Sequence, residues 1–427
     1  MNRTSGGFVD HFTLWASLGA SLYLMPFGAL LVPELSIGAA LAAALLAALL
    51  AGLLVAAIVA LAARTNRSTL DLLAEPLGDR SRLPLAGLLV LRHTLFATFA
   101  LVLIADAATL LGERSLGTDL RPFWVLLFAA AALAVSLALG RWPVLRRVGL
   151  GLIILLAVAI AASAYMEFEI PSYLRRPAAG GWPEFWQAVS VMLVFPILWL
   201  PVAADHARGS PDHRAATLGS LLGLTLMATW FGALGIIYLP ATDSGDTPGF
   251  LVGMELGLGA MIFLLLLQLD EVFVNAQSFE FVADDLNMPV SRLTSVIPLL
   301  VAIPAAIFLH VGDLEGYLLL VGAVFVPAFG VVLAYSLRPI DQPLALPLVA
   351  WAGGFVLYQW ISPADIGWWL DALNWSTEQL GVAFPLSDEI GWLGAIIPSF
   401  LFAFAVQLIA CATLTRSAGR SLTPVAG

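Results

Sequence analysis

The apolar stretch FPILWLPVAADHAR, residues 195–208, carries two prolines inside a segment that is otherwise long and apolar enough to cross a membrane. Proline has no backbone N–H and crowds the carbonyl four residues earlier, so a helix is disturbed at both Pro196 and Pro201. In a bilayer, backbone groups freed by such a break persist only where protein or a water-filled cavity supplies a partner. The stretch therefore predicts a broken transmembrane helix and a candidate binding site.

A second break of the same kind is predicted near the N-terminus, in LMPFG, residues 24–28. Pro26 lies thirteen residues after Thr13, and Pro196 lies twelve residues after Glu184. Interrupted helices at matching positions in two halves of a chain are typical of transporters built from inverted repeats. The simpler alternative is that each proline only kinks a membrane helix.

The composition of the chain places it among membrane proteins. Of its 427 residues, 60% are hydrophobic and 11% are charged, and the mean hydropathy is +0.95. These values indicate a polytopic membrane protein in a lipid bilayer. The net charge of −10 gives no sign of nucleic-acid binding. We find no nucleophile–base set, metal-ligand cluster or phosphate-binding loop, so neither an enzyme nor a cofactor is expected.

About twelve transmembrane helices are predicted from apolar segments of roughly twenty residues, the length that spans a hydrocarbon core of about 30 Å. They lie near residues 12–33, 36–63, 83–111, 122–140, 147–166, 184–204, 215–239, 254–281, 293–311, 315–337, 344–362 and 391–414. All nineteen basic residues are arginine; fourteen lie at the termini and in loops on one side, and four lie on the other. The positive-inside rule then places both termini in the cytoplasm, and we expect the chain in the cell (inner) membrane.

Ionisable residues near the middle of these segments are the strongest functional signal, because such groups are costly in a bilayer. Arg92 and His93 lie in the middle of the third segment. Asp270 and Glu271 lie in the middle of the eighth, where three- and four-residue steps place them on one polar stripe with Asn275.

Two interpretations of these charges remain open. Arg92 could form a structural ion pair with Asp270 or with Glu271 that joins two helices. Alternatively, the stripe could face a substrate or ion pathway, with one carboxylate taking a proton or holding Na+ near Asp270. Two acids against one arginine leave a spare negative charge, which favours the second interpretation.

Several motifs in consistent order resemble the nucleobase–cation symporter family of purine and cytosine permeases, and most closely its hydroxymethylpyrimidine transporter branch. They are FGALLVP at residues 27–33, WLPVAADHAR at 199–208 and GYLLLVGAVFVP at 316–327. The resemblance covers about residues 12–340. It implies a LeuT-like all-α fold, with inverted five-helix repeats at 12–166 and 184–337 and two additional helices at 344–414.

The same resemblance implies a substrate site. Phe96 and Trp199 would stack the two faces of a flat heterocycle, and Asn275 would hydrogen-bond to its edge. Arg92 stands where the family tends to carry a glutamine, which suggests a more acidic or more oxygenated substrate. Gln277 is a further candidate for substrate binding. The residues expected to shape the broken helices are Gly19, Pro26, Gly28, Pro196 and Pro201.

We therefore expect a symporter for a small heterocyclic compound, a nucleobase or pyrimidine derivative such as cytosine or hydroxymethylpyrimidine, with Asp270 or Glu271 coupling H+ or Na+. The alternatives are an amino-acid or polyamine permease of the same architecture, in which Arg92 would meet a carboxylate, and a membrane scaffold that does not transport. Nothing in the sequence indicates an oligomeric state.

Overall fold

The computed structural model describes residues 6–117, 120–137, 142–167, 174–175, 177–238, 258–289, 294–340, 342–385 and 393–420. In these ranges every regular element is a helix. The α-helices are α1 (Phe8–Gly19), α2 (Leu24–Ala29), α3 (Ile37–Thr65), α4 (Thr69–Leu77), α5 (Arg82–Leu116), α6 (Arg121–Leu137), α7 (Trp142–Glu167), α8 (Phe185–Ile197), α9 (Leu200–Ala207), α10 (His213–Tyr238), α11 (Leu258–Asp285), α12 (Ile297–Phe308), α13 (Val311–Leu337), α14 (Ala345–Ile361), α15 (Gly367–Leu380) and α16 (Ile396–Arg420).

Each of the twelve predicted segments coincides with one of these helices or with a broken pair of them, while α4 and α15 are short helices that the apolar pattern did not predict. Five helices in the described residues are long and apolar enough to cross a membrane, and six if the bent α8–α9 pair counts as one span. The number twelve therefore stays a prediction.

The long helix α3 shows how the protein faces lipid. Its leucines Leu45, Leu49 and Leu53 are exposed at four-residue spacing, whereas Ala47 and Ala51 are fully buried. This distribution reverses the pattern of a soluble helix. It is expected where hydrocarbon surrounds the protein and small residues allow helices to approach closely.

Two helices are interrupted where the prolines predict it. The chain leaves helical geometry between Gly19 and Leu24, and α8 and α9 meet at a bend of 43°. Pro26 and Pro201 lie in the first turns of α2 and α9, where the missing N–H costs no hydrogen bond. Pro196 lies in the last turn of α8.

Glycines on one face of α10 hold the first broken helix in place. A Cβ on Gly223 would lie 2.4 Å from the carbonyl oxygen of Phe12, and one on Gly235 would lie 2.1 Å from that of Met25. On the other side of this interface, a Cβ on Gly19 or Gly28 would lie within 3 Å of a backbone oxygen of α10. Gly19 and Gly28 therefore allow α1 and α2 to pack against α10, and that they also shape the break stays a prediction.

Helix α5 is the element that positions the site. It packs against α4, α6, α11, α12 and α13, and its central residues Leu89, Phe96 and Ala100 are buried. The side chain of Arg92 extends from α5 to the break between α8 and α9 and to the middle of α11. These three elements enclose the candidate site.

Candidate functional site

The break between α8 and α9 creates a free backbone acceptor inside the protein. In an unbroken helix the Leu198 carbonyl would accept a hydrogen bond from the N–H of Val202. Here that N–H bonds instead to the carbonyl of Trp199, at 3.2 Å. The Leu198 carbonyl accepts a hydrogen bond of 2.7 Å from Nη2 of Arg92. Arg92 thus supplies the hydrogen-bond donor that the buried Leu198 carbonyl lost at the break, as a buried polar group requires.

Arg92 is fully buried and is held by three groups. Its Nη1 donates to Oδ1 of Asn275 and lies 3.1 Å from Nδ1 of His93, and its Nη2 reaches the Leu198 carbonyl. The Nε of Arg92 has no hydrogen-bond partner. A charged group so deep in the protein, with one donor unused, is a strong candidate for a ligand contact.

Phe96 and Trp199 meet around this guanidinium. Their ring centroids lie 5.6 Å apart at an interplanar angle of 60°. The guanidinium carbon of Arg92 lies 4.0 Å from the centroid of Phe96 and 5.3 Å from that of Trp199. Both rings are buried, and the indole N–H of Trp199 has no hydrogen-bond partner. The predicted pair is therefore brought together, and a planar cation of the protein lies against both rings.

The polar stripe of α11 enters the same cluster at Asn275 and Glu271. The Asn275 amide donates to the Glu271 carbonyl one turn earlier at 2.8 Å, which orients its oxygen towards Arg92. The buried Glu271 carboxyl lies against the hydroxyl of Ser21, in the break between α1 and α2, and interacts with Arg92 through its charge. Its Oε1 has no hydrogen-bond partner.

In the described residues, no hydrogen bond or ion pair joins Gln277 to this cluster. It follows Asn275 by two residues, so it projects about 200° around the helix from it, and it is only half-buried.

Asp270 has a different partner from the one considered above. Its two carboxylate oxygens each lie 3.0 Å from Nε of Arg146 in α7, and Nη2 of the same arginine lies 2.9 Å from Oδ1. In the described part of the chain, no ion pair joins Arg92 to Asp270 or to Glu271 within 4 Å. An Arg92–Asp270 pair is therefore wrong, and Arg92 and Glu271 interact only at longer range.

Arg146 is the residue that sequence reasoning missed. It stands one residue before the predicted fifth segment and was counted among the loop arginines, but α7 begins four residues earlier, at Trp142, and carries it inward. The spare negative charge of the Asp270–Glu271 stretch was the signal that another cation had to be near.

The end of α9 is also buried in the protein. Asp205 is buried and accepts a hydrogen bond of 2.9 Å from the backbone N–H of Thr69 at the start of α4. Arg208 is buried and pairs with Asp285 at the end of α11, at 2.6 Å. The short helix α4, which the apolar pattern did not predict, covers this end of the broken helix.

A second polar cluster lies at the far end of α5. Asp106 pairs with Arg121 at the start of α6, accepts a hydrogen bond of 3.1 Å from the backbone N–H of Val311, and lies 3.2 Å from Nδ1 of His310. It therefore links α5 to the starts of α6 and α13. No group of three or more His, Cys, Asp or Glu side chains in the described residues could hold a metal ion.

Comparison with solved structures identifies the fold. Mhp1, a nucleobase-cation-symport-1 family transporter, in a closed conformation with bromovinylhydantoin bound, matches with a TM-score of 0.73 and 13% identity over 97% of this chain and 93% of that one. The inward-facing conformation of Mhp1 gives 0.69 and 12% identity over 98% and 94% of the two chains. A Na+-coupled sialic acid symporter in a substrate-bound outward-open state gives 0.61 and 13% identity over 95% and 90%.

At these identities the likeness concerns the fold alone, and it confirms the predicted all-α, LeuT-like membrane fold. No family model matches the sequence, and no curated protein sequence matches it.

Proposed function

We propose that this protein is a secondary active symporter of the nucleobase–cation symporter type, which imports a small heterocyclic compound across the cell membrane. The substrate is a nucleobase or pyrimidine derivative, in the class of cytosine or hydroxymethylpyrimidine, and its entry is coupled to H+ or Na+. The fold shared with two symporters supports this proposal, since one of them binds a five-membered heterocycle, bromovinylhydantoin.

The observation that carries the proposal is the buried cluster of Arg92, Phe96, Trp199 and Asn275 at the α8–α9 break. Two aromatic rings give a heterocycle its stacking faces, and base–aromatic stacking contributes about 1–3 kcal/mol per base. The amide and the guanidinium supply polar edges of fixed direction. An apolar pocket with a few convergent polar groups is the usual form of a small-molecule site.

The unpaired polar atoms of the cluster indicate what the substrate carries. Trp199 Nε1 and Arg92 Nε are buried donors without partners, and Glu271 Oε1 is a buried acceptor without one. Leaving such groups unsatisfied costs about 1–3 kcal/mol each. A ring with an adjacent N–H and C=O would satisfy a donor and an acceptor together, as the edge of a pyrimidine does.

The present conformation is too closed to hold a ring between the two aromatic side chains. At a centroid distance of 5.6 Å, Phe96 and Trp199 are in direct contact, within the range of about 4.5–7 Å for neighbouring rings. Binding therefore requires α5 and the α8–α9 break to separate. Such a movement fits alternating access around a site at the bilayer midplane.

Ion coupling is assigned to the acids of α11. Asp270 is neutralised by Arg146, whereas Glu271 keeps one carboxylate oxygen free and lies between the α1–α2 break and Arg92. Glu271 is thus placed to respond both to movement of the first broken helix and to the substrate that approaches Arg92.

A ligand screen on the purified protein tests this function. Thermal unfolding is measured with nucleobases, pyrimidine precursors, ureides and amino acids, each with Na+ and with choline, at two pH values. A ligand at 100 times its dissociation constant stabilises the folded state by about 2.7 kcal/mol. We expect a shift with a heterocycle, and uptake of the same compound by proteoliposomes. Shifts only with carboxylated amines would indicate the amino-acid permease, and no shift with any compound would indicate a scaffold.

A further inference from the structure

The carboxylate of Asp270 is already occupied by a cation of the protein itself. Arg146 contacts both of its oxygens through Nε at 3.0 Å and adds Nη2 at 2.9 Å. The side chain of Asp270 is only 6% exposed and that of Arg146 only 11%. The guanidinium carbon of Arg146 lies 5.9 Å from the ring centroid of Phe273. A guanidinium matches a carboxylate in shape as well as in charge, so this contact is specific.

The pair lies one residue along α11 from the acid that faces the first broken helix. The residue after Asp270, Glu271, contacts Ser21 in the break between α1 and α2, and both α1 and α7 pack against α11. A carboxylate, a hydroxyl and the backbone carbonyls of a broken helix are oxygen ligands of the kind that hard cations prefer. Broken helices supply such carbonyls to Na+ in transporters of this architecture.

A sodium ion does not fit beside Asp270 while Arg146 holds it. To bind there, the ion would have to displace the guanidinium from its carboxylate, and breaking a largely buried ion pair is strongly unfavourable.

We propose that Arg146 is a built-in cation: its guanidinium takes the place of a coupling sodium ion at Asp270, and the protein works without sodium. This inference rests on the proposed symporter function and removes Na+ from its two candidate coupling ions. Its binding test, however, needs no substrate and stands apart from the proposed function.

The test compares the thermal unfolding of the purified full-length protein in NaCl and in choline chloride at equal ionic strength. The wild-type midpoint should be the same in both salts. In Arg146→Gln the carboxylate of Asp270 is uncovered, and a saturable stabilisation by Na+ should appear. The double variant Arg146→Gln/Asp270→Asn should lose that response.

Two further variants serve as controls. Arg146→Lys keeps a cation and should stay insensitive to sodium. Arg147→Gln removes the neighbouring arginine, which pairs with Asp10 near the surface, and should also show no sodium response. A stabilisation of the wild type by Na+ over choline would overturn the proposal. So would an Arg146→Gln protein that folds without responding to sodium, or one that is unfolded in both salts.

Transport supplies a second readout once the ligand screen has identified a substrate. Uptake by wild-type proteoliposomes should proceed at equal rates with Na+ or choline outside, and uptake that requires Na+ would overturn the proposal. If no compound is transported, the proposed function fails, while the sodium response of Arg146→Gln still tests the built-in cation.

Discussion

Replacing Trp199 with alanine tests whether this side chain stacks on a ligand or only packs within the protein core. Trp199 is fully buried against Phe96 and Phe195, and its ring lies 5.3 Å from the guanidinium of Arg92. Trp15 in α1 is equally buried, but it has no ring contact with Phe96 or Trp199 in the described residues. It lies on the helix face of Phe12 and Gly19, which packs against α10.

The magnitudes differ for stability and for binding. Truncating either buried tryptophan should cost about 3–5 kcal/mol of folding stability, from lost burial and the cavity left behind. Only Trp199→Ala should in addition lose ring stacking worth about 1–3 kcal/mol. Since about 1.4 kcal/mol is tenfold in affinity, the dissociation constant should rise roughly 5- to 150-fold.

The assay is ligand-dependent thermal unfolding, supported by direct binding of the radiolabelled compound. A ligand that stabilises the wild type by about 2.7 kcal/mol should stabilise Trp199→Ala by only about 0.9 kcal/mol if its affinity falls about thirtyfold. Trp15→Ala should unfold at a lower temperature but keep the full ligand shift. Equal losses of affinity in both variants, or unchanged affinity in Trp199→Ala, would refute the stacking site.

The remaining predictions concern polar contacts and packing. Asn275→Ala removes the acceptor of a charged donor, so ligand binding or folding stability should fall by about 1.5–3 kcal/mol. Gln277→Ala should change neither the ligand affinity in the same binding assay nor the unfolding midpoint. Gly235→Ala places a Cβ 2.1 Å from the Met25 carbonyl oxygen and should lower the unfolding midpoint, while Gly38→Ala meets nothing within 4 Å and should not. Burial raises the pKa of the Asp71 carboxyl, but the Arg82 guanidinium and hydrogen bonds from Ser68 outweigh burial and hold this pKa below its ordinary value. That carboxylate therefore stabilises the fold above its unfolded pKa of about 3.9 and loses this contribution as the pH falls through its folded pKa. The midpoint difference between wild type and Asp71→Asn should accordingly be present at neutral pH and vanish in acid.

The helix breaks were accessible from sequence because they depend on local chemistry, whereas Phe96 and Trp199 were expected as a pair only from the family resemblance. Proline removes a backbone donor wherever it stands, so Pro26, Pro196 and Pro201 indicated both interruptions. The helices end at both places, and Phe96, Trp199, Arg92 and Asn275 lie close together. What the sequence could not show is that Arg92 lies against both rings and caps the free Leu198 carbonyl.

Charge pairing was harder to predict, for a geometric reason. Asp270 and Glu271 are neighbours, yet they project about 100° apart around their helix, so one faces α7 and the other faces the α1–α2 break. Which of them meets Arg92 depends on how α11 is rotated within the bundle. A pattern along one helix does not encode that rotation, and the partner Arg146 lies 124 residues away in the chain.

Composition and proline placement alone predicted an all-helical membrane protein with two broken helices, because the bilayer requires apolar helices and proline removes a backbone donor wherever it stands. The tertiary structure alone decided that Arg146 neutralises Asp270 and that Gly19 and Gly28 lie against the backbone of α10. These outcomes depend on the mutual rotation and approach of helices that are distant in sequence, which the packing of the whole bundle decides.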